Sequence, residues 1–518
     1  MDRPLSKARR RWLGLGLCVA ILLPRAYLAV ADQGMVWADE IFQTLEQGHR
    51  LAFGYGLVPW EFKVGARSWL LPGALGGAMK LLAVAGVGSG IGLAVTLKLM
   101  FAALAAATFY PMLRLAHALG GAVAVLLLGL CACAFPVSLV YSSRVLAEVA
   151  SAPFLAWGLW LLAPWGMAGS VAAPRKGRIP WIVDFGGGVS RLLGAGALLG
   201  LCTLLRYQNG VLLPAVVLLV AARRGLRASA WIALGMALVL VLGGLLDWAT
   251  WGRPFQSFFV YLRFNLIEGG ANQWGIAKRG FYLRAMLASN GPVLLLLAAG
   301  FVAGLRRTWP LALMAALYLL VLSAIPHKEL RFIVPVLPLF LLCAAVGLAT
   351  LVARLPVPLA RRRAVAAALG ALMLALFAVR ARGVTFADIG QSMDAPNYGG
   401  PTSSLVWRAF DERNRLFEQA GNHADLCGLA APAMNPYWTG GYTYLHRRVP
   451  ILWSGAPAEF AAANYVVAGP GQKLADPRYQ RLAQAGPYVL FRREGACLAP
   501  PRGSAGFGRL TPAGVPGT

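Results

Sequence analysis

The sequence is poor in charged residues, which make up 13% of its 518 positions, whereas hydrophobic residues make up 58%. Soluble globular domains carry about 25% charged residues. This shortage of charge excludes a soluble enzyme, a disordered chain and a nucleic-acid-binding array, and it indicates an integral membrane protein with many helical spans. The net charge of +28 does not indicate a nucleic-acid partner, because most basic residues lie in short loops between apolar runs.

The sequence also lacks the familiar motifs of nucleotide binding, serine hydrolysis and zinc peptidases. It contains no Walker A loop, no G-x-S-x-G and no H-E-x-x-H. Its seven cysteines include no C-x-x-C pair and give no metal or redox motif. Cys427 and Cys497 could form a disulfide if the C-terminal part of the chain faces an oxidising compartment. His446 is isolated in the sequence, which favours a packed or surface histidine over a metal ligand.

Apolar runs are abundant, and a membrane-spanning helix needs about 20 such residues. The runs predict about 11–12 transmembrane helices. They lie at residues 12–31, 69–87, 93–112, 118–136, 145–168, 192–206, 209–222, 228–247, 289–305, 308–325, 331–352 and 364–380.

The distribution of Lys and Arg predicts which loops are cytoplasmic, because cytoplasmic loops are enriched in these residues. The first 11 residues carry five of them, so we expect a cytoplasmic N-terminus. A signal peptide cleaved after Ala31 is the alternative. In either case, residues 32–68 emerge on the outer side of the membrane.

Later basic clusters predict further cytoplasmic loops, at residues 175–191, 223–227, 306–307 and 354–363. Counted from these clusters, the outer segments are 248–288, 327–331 and the chain after 381. The count of membrane crossings from the N-terminus and the count from these later clusters differ by one between residues 69 and 168. Either one apolar run there is re-entrant or one assignment is wrong.

Composition divides the chain into three parts. Residues 1–381 form the transmembrane module, residues 382–498 are expected to form a small extracytoplasmic α/β domain, and the Gly- and Pro-rich residues 499–518 are expected to be disordered. The α/β domain is predicted from a helical segment and three short strands between turns, at 405–419, 425–430, 465–468 and 488–492. The Ala- and Gly-rich composition favours a bacterial protein, and we expect it in the plasma (inner) membrane.

Acidic residues are scarce in the transmembrane module, and five of its 11 lie in the first outer loop, 32–68. Carboxylates at a membrane surface suit general-base catalysis, because a hydroxyl nucleophile loses its proton as it attacks. The alternative is a solvated loop that uses acids for solubility and helix capping. The five acids are Asp32, Asp39, Glu40, Glu46 and Glu61, and His49, Lys63 and Arg67 lie beside them in the same loop.

A second group of ionisable residues, His327, Lys328, Glu329 and Arg331, lies directly between two apolar runs. Lys and Arg could hold a phosphate, one as a point charge and the other as a bidentate fork, and Glu329 could orient them. The alternative is a turn whose cations extend to the membrane surface.

Charged residues inside apolar runs are costly and are usually functional or paired. Arg144 and Glu148, four residues apart, would share one helix face, and a structural ion pair is the alternative. Arg206 interrupts a long apolar stretch, where a helix-end anchor is the alternative. Asn265 lies in the outer loop 248–288, which could guide a lipid along the bilayer or could be a plain connector.

The first loop resembles a motif of glycosyltransferase family 22, the lipid-phosphate-mannose-dependent mannosyltransferases of the GT-C superfamily. That motif is P-D-E-x-x-Q-x-x-E-x-x-H, and this sequence carries Asp39-Glu40-Ile41-Phe42-Gln43, then Glu46 and His49, with Ala38 in place of the proline. The family includes the GPI-anchor and N-glycan mannosyltransferases. The segment 327–332 is similar to the family's H-K-E-x-R-F. Looser similarities occur at Glu61, Arg67, Arg144, Glu148, Arg206 and Asn265.

The resemblance implies a polytopic α-helical fold of GT-C type and an inverting transfer of a sugar from a polyprenyl-phosphate carrier outside the cytoplasm. By the family pattern, Asp39 is the base and Glu40 its helper. The donor phosphate is then held by His327, Lys328, Arg331 and Arg206. Supporting roles fall to Glu46, His49, Glu61, Arg67, Arg144, Glu148, Asn265 and Glu329.

We therefore expect a membrane glycosyltransferase that moves a hexose, mannose or another, from a polyprenyl-phosphate sugar to a lipid-linked or cell-envelope glycan. The expected partners are this donor, a glycan or glycolipid acceptor and membrane lipid, with no nucleic acid. The sequence demands no cofactor, although the carboxylates could bind a divalent cation. One alternative is a transporter or flippase of a lipid-linked saccharide, which internal repeats would favour, and the sequence shows none. A non-catalytic envelope assembly subunit is the other alternative.

Overall fold

The structure is a computed structural model of the chain and describes residues 7–163, 188–391, 404–432 and 434–500. The basic loop predicted around Arg175 and the predicted disorder of residues 501–518 lie outside the described residues.

Long apolar helices dominate the described part of the chain. Six segments in it are long and apolar enough to cross a membrane, which confirms a polytopic α-helical membrane protein: Gly14–Ala31, Gly90–Ala134, Leu226–Trp251, Val293–Ala324, Leu330–Ala353 and Leu359–Arg382. The helices of ten or more residues are Lys7–Ala31, Leu70–Val84, Gly90–Ala107, Phe109–Ala134, Ala147–Leu161, Val189–Leu205, Leu212–Arg224, Leu226–Trp251, Phe281–Asn290, Val293–Ala324, Leu337–Ala353, Leu359–Arg382 and Asp411–Gly421.

One helix is longer than the sequence predicts. The predicted runs 289–305 and 308–325 form the single helix Val293–Ala324, so the Arg-Arg pair between them lies within a helix and not in a loop. Two glycines in this helix pack against the backbone of the helix Leu337–Ala353, a close approach that small residues permit. The guanidinium of Arg307 donates a hydrogen bond to a main-chain carbonyl of a neighbouring helix, 3.3 Å away.

The chain divides into two compact units. The first comprises residues 1–27, 100–245 and 271–392, and the second comprises residues 28–99, 246–270 and 393–518. The second unit therefore contains both the first loop and the C-terminal α/β part. The domain boundaries expected from composition stay a prediction.

The first unit is built of packed helices. The segment Phe109–Ala134, in which the non-helical Gly121 separates two helices, packs against both Leu337–Ala353 and Leu359–Arg382, and the facing side chains form an apolar core. Gly196 and Gly235 each approach a main-chain carbonyl of a neighbouring helix. A larger side chain at either position would separate the two helices.

The C-terminal part of the second unit contains five strands: β1 Leu429–Ala430, β2 Ile451–Leu452, β3 Tyr465–Ala468, β4 Gln480–Ala485 and β5 Tyr488–Arg492. They form one sheet with the order β2-β1-β3-β5-β4. β1 is parallel to β2 and β3, whereas β5 is antiparallel to β3 and β4. The helix Asp411–Gly421 packs on this sheet. A disulfide joins Cys427 to Cys497.

The first loop, in the same unit, is folded into short helical turns. The helix Ala38–Glu40 continues into a π-helical turn, Ile41–Leu45, and then into the helix Glu46–Phe53, which ends at a left-handed Gly54 (φ 82°). A 3₁₀ turn, Trp60–Phe62, follows. π-Helical turns are rare and frequently occur at functional sites.

Candidate active site

Two carboxylates of the first loop share one amide. Nε2 of Gln43 donates a hydrogen bond to Oδ1 of Asp39 at 2.7 Å and another to Oε1 of Glu61 at 3.1 Å. Asp39 is only partly buried. We call Asp39, Gln43 and Glu61 the carboxylate cluster. Because one amide group donates to both carboxyl groups, it offsets the electrostatic repulsion between them.

Aromatic packing buries the Glu61 turn. The ring of Trp60 lies 4.6 Å from that of Phe264, and the ring of Phe62 lies 4.7 Å from that of Trp69. Glu61 is only 8% exposed. Burial raises the pKa of Glu61, the charge of Arg67 lowers it, and the charge of Asp39 raises it again, so the pKa lies above its ordinary value.

Glu40 does not share this environment. Its side chain is fully buried, whereas Asp39, its neighbour in the chain, is partly exposed. The helper role that the family resemblance implies for Glu40 stays a prediction. The nearest carboxylate that the hydrogen bonds connect to Asp39 is Glu61, which the sequence placed among the supporting residues.

Glu46 joins the first loop to the C-terminal part of the same unit. Its buried carboxylate accepts hydrogen bonds from the backbone N–H groups of Leu57, Tyr442 and Thr443 and from the Thr443 hydroxyl. Burial raises the pKa of Glu46 to about 7, although these hydrogen bonds lower it. Glu46 therefore has a connecting role, because Tyr442 and Thr443 lie nearly 400 residues further along the chain.

His49 makes a second connection between the same segments. Its Nε2 lies 3.0 Å from Nδ1 of His446, and its Nδ1 lies 3.1 Å from the carbonyl oxygen of Tyr55. Burial, followed by the charge of His446, lowers the pKa of His49 to about 3. Burial also lowers the pKa of His446. Both rings are therefore neutral at physiological pH, and one donates to the other.

A cluster of buried ions lies in the first unit. Arg206 Nη2 is 3.0 Å from Glu148 Oε1, and Arg331 Nη1 is 3.6 Å from the same oxygen. Arg331 also donates two hydrogen bonds to the carboxylate of Glu329, at 2.7 and 2.8 Å. We call Glu148, Arg206, Glu329 and Arg331 the arginine cluster. Both guanidinium groups lie over the ring of Phe332, at 5.0 and 5.2 Å from its centre.

The Arg144–Glu148 pair differs from the sequence prediction. Glu148 lies in the first turn of the helix Ala147–Leu161, but Arg144 precedes that helix in non-helical backbone. The two residues therefore do not share a helix face. Arg144 is nevertheless buried.

His327 and Lys328 hold a neighbouring segment of backbone. His327 Nδ1 lies 2.8 Å from the Gly275 carbonyl, and Lys328 Nζ donates to the Ala277 carbonyl at 2.7 Å. The His327 ring also lies 3.3 Å from Glu329. Burial lowers the pKa of His327, but its hydrogen bond to Glu329 and that residue's charge raise it above its usual range.

Asn265 lies in the second unit, away from this group in the chain. It is part of a π-helical turn, Arg263–Ile267, and its side-chain amide donates to the Tyr261 carbonyl at 2.9 Å. The guanidinium of Arg67 lies over the Tyr261 ring, 5.4 Å from its centre. The structure thus brings Arg67 and the Asn265 turn together.

Among the described residues, no three His, Cys, Asp or Glu side chains converge as a metal site would require. The carboxylate cluster offers only two carboxylates and one amide. The divalent cation considered from the sequence stays a prediction.

The fold is that of the GT-C membrane proteins. It is similar to the crystal structure of ArnT from Cupriavidus metallidurans bound to undecaprenyl phosphate, with a TM-score of 0.57, 17% identity and coverage of 95% of this chain and 99% of that one. The chain belongs to the Alg9-like mannosyltransferase family, which matches residues 17–404. This confirms the family resemblance that the first loop and the 327–332 segment predicted.

Two relatives are named GPI mannosyltransferase 3. The protein from Yarrowia lipolytica is 27% identical over 341 residues, which cover 63% of this chain and 61% of that protein. The protein from Drosophila melanogaster is 27% identical over 319 residues, which cover 58% and 51%. The chain thus matches between half and two thirds of the length of these relatives.

Proposed function

We propose that this protein transfers a mannose or another hexose from a polyprenyl-phosphate sugar to a lipid-linked or cell-envelope glycan, with inversion at the sugar carbon. The observation that carries the proposal is the carboxylate cluster, because Asp39 and Gln43 belong to the first-loop motif of the family and Glu61 is hydrogen-bonded to the same amide. The names of the GPI mannosyltransferase relatives support a mannosyl transfer.

Asp39 is the general base in this proposal. An inverting displacement needs one base to take the proton of the attacking acceptor hydroxyl. Asp39 is the more exposed carboxylate of its cluster, whereas Glu61 is buried and has a raised pKa. Gln43 fixes the orientation of Asp39, and Glu61 fixes Gln43 from the other side. These contacts hold the base in one geometry, as a positioned catalytic group requires.

The arginine cluster binds the donor phosphate in this proposal. Arg206 and Arg331 lie against the carboxylates of Glu148 and Glu329 and over one aromatic ring, which keeps both guanidinium groups ordered. Negative charge grows on the phosphate as the sugar leaves, so ordered cations stabilise the transition state more than the ground state. ArnT, which has a similar fold, was crystallised with undecaprenyl phosphate, and this supports a polyprenyl-phosphate donor here.

We infer that the protein is a multi-pass protein of the plasma membrane, with a cytoplasmic N-terminus and an extracytoplasmic C-terminal domain. The Cys427–Cys497 disulfide supports this orientation, because disulfides persist in oxidising compartments. The basic N-terminal residues support it from the other side of the membrane.

The test is Asp39→Asn in the purified protein, with a mannosyl-phospho-polyprenol as donor and a membrane glycolipid extract as acceptor. We expect the transfer rate to fall by about 10²–10⁴-fold, because asparagine cannot take a proton although it preserves the hydrogen bond from Gln43. Binding of the donor, measured directly, should change little. Transfer at close to the wild-type rate would show that Asp39 is not the base.

A further inference from the structure

The C-terminal part of the chain brings an aromatic side chain to the carboxylate cluster. The ring of Tyr437 meets the ring of Phe42 edge to face, with 5.1 Å between their centres. Phe42 lies directly before Gln43 in the π-helical turn that carries the cluster. All these residues belong to the second unit. The charge of Glu61 contributes to the raised pKa of the Tyr437 phenol.

The backbone around Tyr437 is held firmly. It lies in a short 3₁₀ turn, Pro436–Trp438, and Asn435 caps that turn by accepting a hydrogen bond from the Tyr437 N–H at 2.9 Å. A proline at the start of the turn restricts its backbone further. An ordered ring loses little conformational entropy when it contacts a ligand.

The segment that follows is fastened to the first loop. Glu46 accepts three hydrogen bonds from Tyr442 and Thr443. Gly441 adopts a left-handed conformation (φ 50°), and a Cβ there would lie 3.1 Å from the Glu46 carboxylate. These contacts fix the position of the Tyr437 turn relative to the carboxylate cluster.

Tyr437 retains binding capacity of its own. Its side chain is partly exposed, and among the described residues its hydroxyl has no hydrogen-bond partner. Burial, followed by the charge of Glu61, raises the pKa of this phenol to about 12, so the hydroxyl stays protonated and can donate. The side chain thus offers an apolar ring and a hydrogen-bond donor to the same ligand.

A group beside the base meets the acceptor, because the base must lie within hydrogen-bond distance of the acceptor hydroxyl. A sugar has an apolar C–H face and hydroxyl groups at its rim, and binding sites combine aromatic walls with a few placed polar groups. These are the two features that Tyr437 presents. A purely structural tyrosine would bury its hydroxyl on a partner, as Tyr442 does on the Val449 carbonyl.

We propose that Tyr437 forms one wall of an acceptor-sugar subsite, with its ring against the apolar face of a pyranose and its hydroxyl bonded to a sugar hydroxyl. The C-terminal α/β part is then a component of the acceptor site. This inference rests on the proposed glycosyl transfer. It names the chemical class of the acceptor, a pyranose sugar, that the carboxylate cluster would face.

The experiment uses the full-length protein, a mannosyl-phospho-polyprenol donor and a panel of alkyl α-mannosides as acceptors. For Tyr437→Ala we expect the acceptor KM to rise about tenfold or more, while the donor KM changes by less than about twofold. Tyr437→Phe keeps the ring but lacks the hydroxyl, so its acceptor KM should rise about two- to tenfold. Leu482→Ala, at an exposed site on β4, is the control and should match the wild type.

Direct titration of the alkyl mannosides onto each variant separates this inference from the proposed function. Weaker mannoside binding by Tyr437→Ala, in a protein that transfers no sugar, would support the subsite and refute the glycosyl transfer. Unchanged mannoside binding and an unchanged acceptor KM in Tyr437→Ala would overturn the subsite. An equal rise in the donor and acceptor KM would also overturn it, because that result indicates disturbed packing against Phe42.

Discussion

Gln43 explains how two carboxylates of one loop act together. The side-chain amide of Gln43 donates to Asp39 and to Glu61, and the bond to Glu61 lowers the pKa of that residue. The sequence showed Gln43 as a residue matching the family motif, and it showed Glu61 as one acid among five. Asp39 and Gln43 are four residues apart, so their contact follows from helical geometry. The contact with Glu61 depends on aromatic packing that only the structure shows.

Replacement of Gln43 by leucine tests this arrangement. We expect transfer in Gln43→Leu to fall by roughly 10–100-fold, because the base loses its fixed orientation. Initial rates at saturating donor and acceptor measure the fall.

The matched control is Gln419→Leu, at an exposed position of the helix Asp411–Gly421, which should keep the wild-type rate. A Gln43→Leu protein that transfers at close to the wild-type rate would show that Gln43 does not position the base.

Short elements were predictable where their own residues specify them. β3 and β5 have the bounds that their apolar strings predict, 465–468 and 488–492. β4, Gln480–Ala485, was missed because its side chains are polar and mostly exposed and its pairing with β5 holds it in place. The helix expected from residue 405 begins at Asp411, since Arg408 and Phe410 adopt positive φ.

Two buried groups of the helix Glu46–Phe53 give the second unit opposite dependences on pH. The pKa of Glu46 is raised from its ordinary 4.5 to about 7, so its contribution to stability decreases as pH rises through that range. The pKa of His49 is lowered from 6.5 to about 3, so its contribution decreases as pH falls below 6.5. The two effects oppose each other between pH 4.5 and 6.5.

Substitution of Glu46 separates these effects. In Glu46→Gln the side chain at this position no longer titrates. The free energy of unfolding therefore loses the decrease of about 3 kcal/mol that Glu46 causes as pH rises from 4.5 to 7. The melting temperature of this variant should therefore rise more steeply with pH between 4.5 and 6.5 than that of the wild type, and it should level off above 6.5. Thermal unfolding in detergent, followed by intrinsic fluorescence, measures both curves. Parallel curves for the two proteins would contradict the assignment.

Contacts over long separations were beyond prediction from the sequence. The pairing of His49 with His446 spans 397 residues, and Phe42 meets Tyr437 over a similar distance. Periodicity and local motifs report neighbours within one element, so His446 looked isolated and Tyr437 carried no signal. The membrane-helical architecture, in contrast, follows from composition and apolar runs, and six spans of the described residues confirm it.

The disulfide closes a long segment and should stabilise the C-terminal sheet. Cys427 and Cys497 are 70 residues apart, and a closed loop of that length contributes about 4 kcal/mol in the chain-entropy model. We expect a lower unfolding temperature for the Cys427→Ala/Cys497→Ala protein. Differential scanning calorimetry, with and without a reductant, measures this. Reductant should lower the wild-type value and leave the variant unchanged; equal values for wild type and variant would contradict the prediction.

The buried carboxylate of Glu46 has a consequence for exchange of parts between related proteins. Two of its three donor residues, Tyr442 and Thr443, lie in the C-terminal part of the second unit. Replacing that part with the corresponding part of a relative would therefore leave a buried carboxylate without those donors unless the matching first loop were transferred with it. The first loop and the C-terminal part of the second unit should therefore be kept together, both in evolution and in engineered exchanges.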